Sequence, residues 1–278
     1  MKKLFDELSF EVSKNTTEKY STSFSLGILA LHQSIRKAIY AIYGYVRLAD
    51  EIVDSFHDYN KDGLLAQLKI QTTEALDEGI SLNPILNSFQ HAVKNYNIDR
   101  KLIDQFLHSM QMDLKPVDYT SELYNEYILG SAEVVGLMCL HVFVNGERHA
   151  FEELKPYAMK LGSAFQKVNF LRDLKDDYQL LGRSYFPNID MRVFNNAVKK
   201  QIEQEIEYEF KEAYIGIRKL PSYSKFGVYL AYKYYLKLLR KIKDTPAERI
   251  LNERIRIHNG HKFSLMMGSY VQYKMALL

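Results

Sequence analysis

The sequence contains no tryptophan and a single cysteine, Cys139. A lone thiol excludes an intrachain disulfide framework and any multi-cysteine zinc site, and it suits a reducing compartment. Proline and glycine are sparse, at six and thirteen residues, and neither clusters, which favours helices over turn-rich β structure. No two glycines stand in Gly-x-Gly spacing, so the Rossmann phosphate fingerprint is missing. An excess of one charge is missing too. The 37 Lys+Arg against 34 Asp+Glu leave +3, too little to imply a nucleic-acid partner. The most apolar stretch, Val134 to Val144, contains His141 and falls far short of the roughly 20 residues of a spanning helix. Lys2 and Lys3 are followed by Asp6, Glu7 and Glu11 rather than by a signal-peptide core. A soluble or peripheral cytoplasmic chain is therefore expected.

What is present is helical periodicity. Ile35, Ala38, Ile39, Ile42, Val46, Ala49 and Val53 follow helical spacing over Ile35 to Asp54, as do Leu161, Phe165, Val168, Leu171 and Leu174 over Tyr157 to Asp177. Gln201 to Leu220 reads as an amphipathic surface helix, with the charged run Lys199 to Glu212 as its solvated face. Further helices are expected over Tyr223 to Lys243 and Phe263 to Leu278. Breaks are expected near Gly63, Asn83-Pro84, Lys115-Pro116, Asn145-Gly146, Gly182 to Pro187, Leu220-Pro221 and Thr245-Pro246. No sustained period-2 alternation signals strands. The expectation is one all-α domain spanning residues 1–278, a multi-helix bundle around one core.

Two of these helices carry acidic stripes. Asp50 and Asp54, four residues apart, lie about 40° apart on one face, with Tyr43 and Arg47 on the same side and Glu51 off to the flank. Gln166, Asn169, Asp173 and Asp177 fall within about 80° of arc on the second helix, with Asp176 and Lys175 on its wet side. Either stripe alone reads better as a solvated surface. Facing each other, the two would suit hard divalent cations, which take oxygen ligands and, for magnesium, one or two carboxylates plus substrate phosphates. Arg47 could then balance a phosphate oxygen. A di-iron bundle is excluded, because no Glu has His three residues later.

In these residues the chain resembles the squalene/phytoene synthase family of head-to-head prenyl synthases, over roughly Tyr20 to Met266. Tyr20-Ser-Thr-Ser-Phe24 resembles the family's Ser-x-Ser-Phe segment. Arg47 with Asp50-Glu-Ile-Val-Asp54 resembles its first aspartate-rich motif. Gln166, Asn169, Arg172, Asp173 and Asp177 resemble the second, Gly182-Arg-Ser-Tyr-Phe-Pro187 the loop that follows, and Arg254, Arg256 and Lys262 a C-terminal basic segment. One stretch departs: Tyr127-Ile-Leu-Gly-Ser-Ala-Glu-Val-Val-Gly136 carries Ser131 and Glu133 where the family has Val and Gly. A Glu there would sit on a helix lining an apolar cleft.

The resemblance implies an isoprenoid-synthase-type bundle with a central cavity, in which two allylic prenyl diphosphates join through a cyclopropylcarbinyl diphosphate. Asp50, Asp54, Asn169, Asp173 and Asp177 would hold magnesium, with manganese as a substitute. Arg47 and Tyr127 join the four aspartates as catalytic residues. Ser21, Ser23, Phe24, Tyr43, Arg47, Gln166, Asn169, Arg172, Arg183, Tyr185 and Lys262 would contact substrate. The Glu-second aspartate motif looks most like bacterial phytoene synthases, implying two geranylgeranyl diphosphates as substrates, phytoene as product and no need for NADPH. Squalene or dehydrosqualene synthesis from farnesyl diphosphate is the alternative, and a catalytically silent helical assembly protein is the alternative of another class.

The remaining aromatics, including the Tyr223 to Tyr235 cluster, read as core packing, and Cys139 as a small buried apolar residue. His258 and His261 read as surface. Lys237, Arg240, Lys241 and Lys243 form a mildly basic patch that reads equally well as solvated surface or as favouring an anionic leaflet, the latter in keeping with a hydrocarbon product that must leave into lipid.

Overall fold

A computed structural model describes residues 1–114, 119–179, 185–187 and 194–256, with the side chains of 177–179 outside the description. Among the described residues every regular element is helical. Helices α1 (Lys2–Tyr20) and α2 (Thr22–Leu29) are parted by Ser21 alone, whose extended backbone and Oγ, accepting from Phe24 N–H at 3.2 Å, make an N-cap without glycine or proline. Helix α3 (Gln33–Asp54) matches the first expected helix. Helix α4 (Lys61–Glu78) ends on left-handed Gly79, φ +68°. Asn83 caps α5 (Pro84–Tyr96), with Pro84 in the first turn where its missing N–H is harmless. Helix α6 (Arg100–Met112) follows Asp99. Helix α7 (Ser121–Ile128) passes through a π-helical turn, Leu129–Glu133, straight into α8 (Val134–Phe143). Then come α9 (Arg148–Gln179), α10 (Asn196–Lys219), α11 (Ser222–Lys243) and the short α12 (Ala247–Ile250).

Several expectations need correction. Gly63 does not break a helix. It lies in the first turn of α4, where its N–H donates to the Asn60 cap at 3.0 Å. The helix expected from Tyr157 begins at Arg148 and runs through Pro156, because packing against α8 and α10 holds the helix where one backbone hydrogen bond is lost. The run Lys199 to Glu212 is not simply a solvated face, since Lys199, Glu203 and Glu209 are buried. Ser121–Phe143, continuous through the π turn, is long and apolar enough to cross a membrane, which the eleven-residue reading missed. Here Leu137, Met138, Leu140 and Val142 of that helix are buried in the molecule. The Lys115-Pro116 break, the loop start Gly182 to Ser184 with Arg183, His258, His261, Lys262 and the helix expected from Phe263 lie outside the described residues.

Two apolar clusters make the core. One gathers α3 to α6 and α8 around Tyr45, Phe89 and Phe106, with Tyr45 stacked on Phe89 at 3.9 Å. The other gathers α7 and α9 to α11 around Leu171, Ile206, Phe210 and Leu238. Helix α1 docks by a different means. Ser9, Ser13 and Thr17, one turn apart, are fully buried, and Ser13 Oγ meets Ser88 Oγ at 2.7 Å. A Cβ on Gly44 of α3 would lie 2.9 Å from Ser13 Oγ, so glycine is what lets α1 and α3 approach.

Candidate active site

Between the two clusters lies one cavity of about 710 Å³. Helix α3 presents Tyr43, Arg47, Asp50 and Asp54 to it, each about one turn from the next so that one face carries them all. Helix α9 presents Gln166, Asn169, Arg172, Asp173 and Asp176 from across the cavity. The stripes are close enough to interact: the Tyr43 hydroxyl on α3 feels the charges of both Asp50 and Arg172. Ser21, Ser23, Phe24, Tyr127 and Tyr185 line the same cavity. Asp177 continues the α9 helix, but its side chain is among those not described.

The polar end holds five aspartates, Asp50, Asp54, Asp113, Asp173 and Asp176, against three arginines, Arg47, Arg172 and Arg254. Burial first, then the charge of Asp54, push Asp50 up to about 7, with Arg47 opposing and Asp113 adding. Arg47 is sandwiched, its guanidinium 4.3 Å from the Tyr20 ring centroid and ion-paired with Glu51. Glu51 thus reaches back to Arg47 rather than pointing idly to the flank. Burial alone would weaken the charge of Arg172, but its two hydrogen bonds to Asp173, at 2.9 and 2.5 Å, outweigh that and raise its pKa.

The remainder of the wall is apolar and aromatic. Phe170 stacks on Tyr185 at 4.1 Å, and Tyr127 lies 5.3 Å from Tyr185 and 6.1 Å from Phe170. Phe165 stacks on Tyr235 at 3.9 Å, and Phe24 lies 5.5 Å from Tyr43. The Tyr127 hydroxyl donates to Asp113 Oδ2 at 2.8 Å, and burial first, then Asp113, keep that phenol well above its ordinary pKa. Tyr235 donates to Asn169 Oδ1 at 3.2 Å, and burial pushes it up to about 12.

Sequence reasoning missed several of these residues. Asp176, read as wet, lines the cavity and stands 4.0 Å from Arg254. Tyr234 and Tyr235, read as packing, line it too, as does half-buried Cys139. Asp113 follows α6, outside any acidic pair, so no periodic signal marked it. Glu133 is corrected in the other direction. It is absent from the cavity wall, its neighbours being Lys160, Lys167 and Glu209, and burial pushes it up to about 7. The apolar cleft therefore keeps Ala132 and Gly136 but not the Glu.

Could this donor set hold divalent cations? Among the described residues no three His, Cys, Asp or Glu converge as a cage sufficient by itself. Carboxylates instead outnumber guanidiniums along both walls of a shared cavity, with Asn169 as a neutral oxygen donor. That suits magnesium, which keeps waters and completes its shell with substrate phosphates. The residues fit such an ion.

The sequence pattern of squalene/phytoene synthases matches this chain over residues 17–261. The chain belongs to the squalene/phytoene synthase family. As a family member it is 29% identical over 248 residues to the chloroplastic phytoene synthase of an Oncidium hybrid cultivar, spanning 81% of this chain and 59% of that protein. It is 26% identical to the 4,4'-diapophytoene synthase of Staphylococcus haemolyticus over 76% of this chain and 72% of that one. The chain thus spans about three-fifths of the length of the plant relatives it matches. The fold matches that of a dehydrosqualene synthase crystal structure, with a TM-score of 0.83, 21% identity and coverage of 97% and 98% of the two chains. This is the isoprenoid-synthase-type bundle expected from the sequence.

Proposed function

We propose that this family member is a magnesium-dependent prenyltransferase that joins two allylic prenyl diphosphates head to head. The observation that carries the reading is the shared cavity: the acidic stripes of α3 and α9 line it together with apolar and aromatic side chains. When bound, magnesium would neutralise the departing diphosphate as a Lewis acid, held by Asp50 and Asp54 on one side and Asn169 and Asp173 on the other, with Asp177 joining them.

The chain's own residues do the rest. Arg47 and Arg172 hold diphosphate oxygens, and the amide groups of Gln166 and Asn169 orient them. Ser21 and Ser23, at the N-terminal end of α2, line the cavity and would offer hydroxyls to a diphosphate. Apolar walls exclude water that would quench a cation. The ring faces of Phe24, Tyr43, Tyr127 and Phe170 stabilise allylic and cyclopropylcarbinyl cations, by about 0.5–2 kcal/mol each. The hydrogen bond from the Tyr127 hydroxyl to Asp113 holds that ring in place on the cavity wall.

We favour two geranylgeranyl diphosphates giving phytoene, in line with the name of the Oncidium relative. The Staphylococcus relative, covered over a larger share of its length, favours a second reading with farnesyl diphosphate. Incubating the purified protein with magnesium and either diphosphate, followed by mass analysis of the extracted lipid, separates them. Phytoene formed without NADPH supports the first reading. A C30 product from farnesyl diphosphate alone supports the second. No joined hydrocarbon from either would return the chain to the class of silent helical proteins.

A further inference from the structure

Asp173 carries two guanidiniums. Arg172 Nε and Nη2 reach its two oxygens at 2.9 and 2.5 Å, and Arg254 Nε reaches Oδ1 at 2.7 Å. Arg254 also stands with Nη1 4.0 Å from Asp176 Oδ2. It arrives from the segment after α12, which is tied down by Ile255 N–H donating to Arg172 O at 3.4 Å and by Lys241 Nζ donating to Arg256 O at 2.6 Å.

A carboxylate in this state is a poor cation ligand. Both oxygens already accept from N–H groups, and two positive charges stand where a cation would approach. Magnesium demands oxygens at about 2.0–2.1 Å, so an ion arriving alone must first displace a guanidinium. A diphosphate changes the balance, because its oxygens accept a guanidinium fork at least as well as a carboxylate does. Arg172 is the neighbour of Asp173 on the same helix, only 23% exposed, and has little freedom to leave. Arg254 is 39% exposed on an irregular segment and is the guanidinium able to move.

We propose that Arg254 is an exchange residue: it covers Asp173 in the absence of substrate and transfers to diphosphate oxygens when diphosphate and divalent cation bind together. The inference rests on the prenyl diphosphate reading of this cavity and adds an order to it, in which cation loading on the α9 stripe waits for the anion. Such coupling is reciprocal. Pyrophosphate must raise cation affinity by the factor by which the cation raises pyrophosphate affinity.

The test measures Mn²⁺ retained by the purified protein in equilibrium dialysis, with and without inorganic pyrophosphate, against protein-free dialyses that account for the soluble Mn²⁺–pyrophosphate complex. In the wild type, pyrophosphate should tighten Mn²⁺ binding at least about fivefold. Arg254→Gln should bind Mn²⁺ about fivefold or more tightly without pyrophosphate and lose most of the coupling. Arg254→Lys, which keeps charge but not the fork, should fall between. Circular dichroism and thermal unfolding establish that both variants fold. Arg254→Gln indistinguishable from a normally coupled wild type, in both conditions, overturns the exchange while leaving the diphosphate site standing. A wild type that takes up no Mn²⁺ with pyrophosphate present overturns the site reading and the exchange together.

Discussion

Replacing Lys167 by Met should destabilise the fold by about 3–5 kcal/mol, as removing one partner of a buried ion pair does. Lys167 is 5% exposed, and its ammonium stands 2.9 Å from Glu209 Oε1 and is also paired with Glu205. Glu209, 3% exposed, has the Ser163 hydroxyl 2.9 and 3.0 Å from its two oxygens and Lys160 at 3.5 Å. Glu133 faces the same group. Lys167→Met therefore leaves three carboxylates around one half-exposed lysine. With an unfolding entropy near 2.1 cal/mol/K per residue, a chain of 278 residues loses roughly 0.6 kcal/mol per degree, so Tm should fall by about 5–9 °C. Adding Glu209→Met should recover most of the loss, because a buried pair replaced by apolar groups of similar volume is often neutral. Urea unfolding and calorimetry at pH 7 read both effects. A Lys167→Met variant within about 1 kcal/mol of wild type, or a double variant as unstable as the two singles summed, would refute the buried-pair reasoning.

The half-buried carboxyl of Glu133, pushed up to about 7 from 4.5, binds its proton more tightly folded than unfolded, so its penalty is absent below pH 4.5 and grows as pH rises to about 7. Glu133→Gln should therefore gain about 1–3 kcal/mol on wild type between pH 5 and pH 8 in urea unfolding, discounted for partial exposure; a pH-independent difference would contradict it. Asp113→Ala removes the acceptor of a fully buried phenol and should cost about 1–3 kcal/mol of stability. Tyr127→Phe should largely erase that cost in a double-mutant cycle, and additive losses would show that the hydrogen bond does not couple them. Asp50→Asn and Asp173→Asn should each lower turnover of prenyl diphosphate by more than about 100-fold, beyond the 10–100-fold loss usual for supporting residues of metal sites; activity within tenfold would remove the residue concerned from the proposed ligand set. Flotation with anionic vesicles at low salt tests peripheral association. Lys243 already pairs with Glu207, so the basic patch offers chiefly Lys237, Arg240 and Lys241, and any binding should be weak and lost at high salt.

Much of this protein could be read along the chain because helices announce themselves locally. Apolar residues at 3.6-residue spacing marked α3, the second half of α9, α10 and α11. The same geometry put Asp50 with Asp54, and Asn169 with Asp173, on single faces. Capping by Ser21 and the run of α9 through Pro156 were less legible. The first break uses neither glycine nor proline, and the second element survives on packing that local propensity does not record.

What only the tertiary structure decided is which stripes meet and which charges are buried. A helical wheel gives a residue's azimuth, but the identity of the neighbour at that azimuth depends on how helices far apart in sequence pack. Glu133 and Asp176 illustrate both directions of that failure, one turning to a buried lysine and the other into the cavity. Asp113, without a periodic partner, became part of the polar end only because α6 delivers it beside Tyr127. Periodicity is a property of the backbone, set residue by residue. Confrontation of α3 with α9 is a property of the packed whole, set by burial of two apolar clusters on either side of the cavity they enclose.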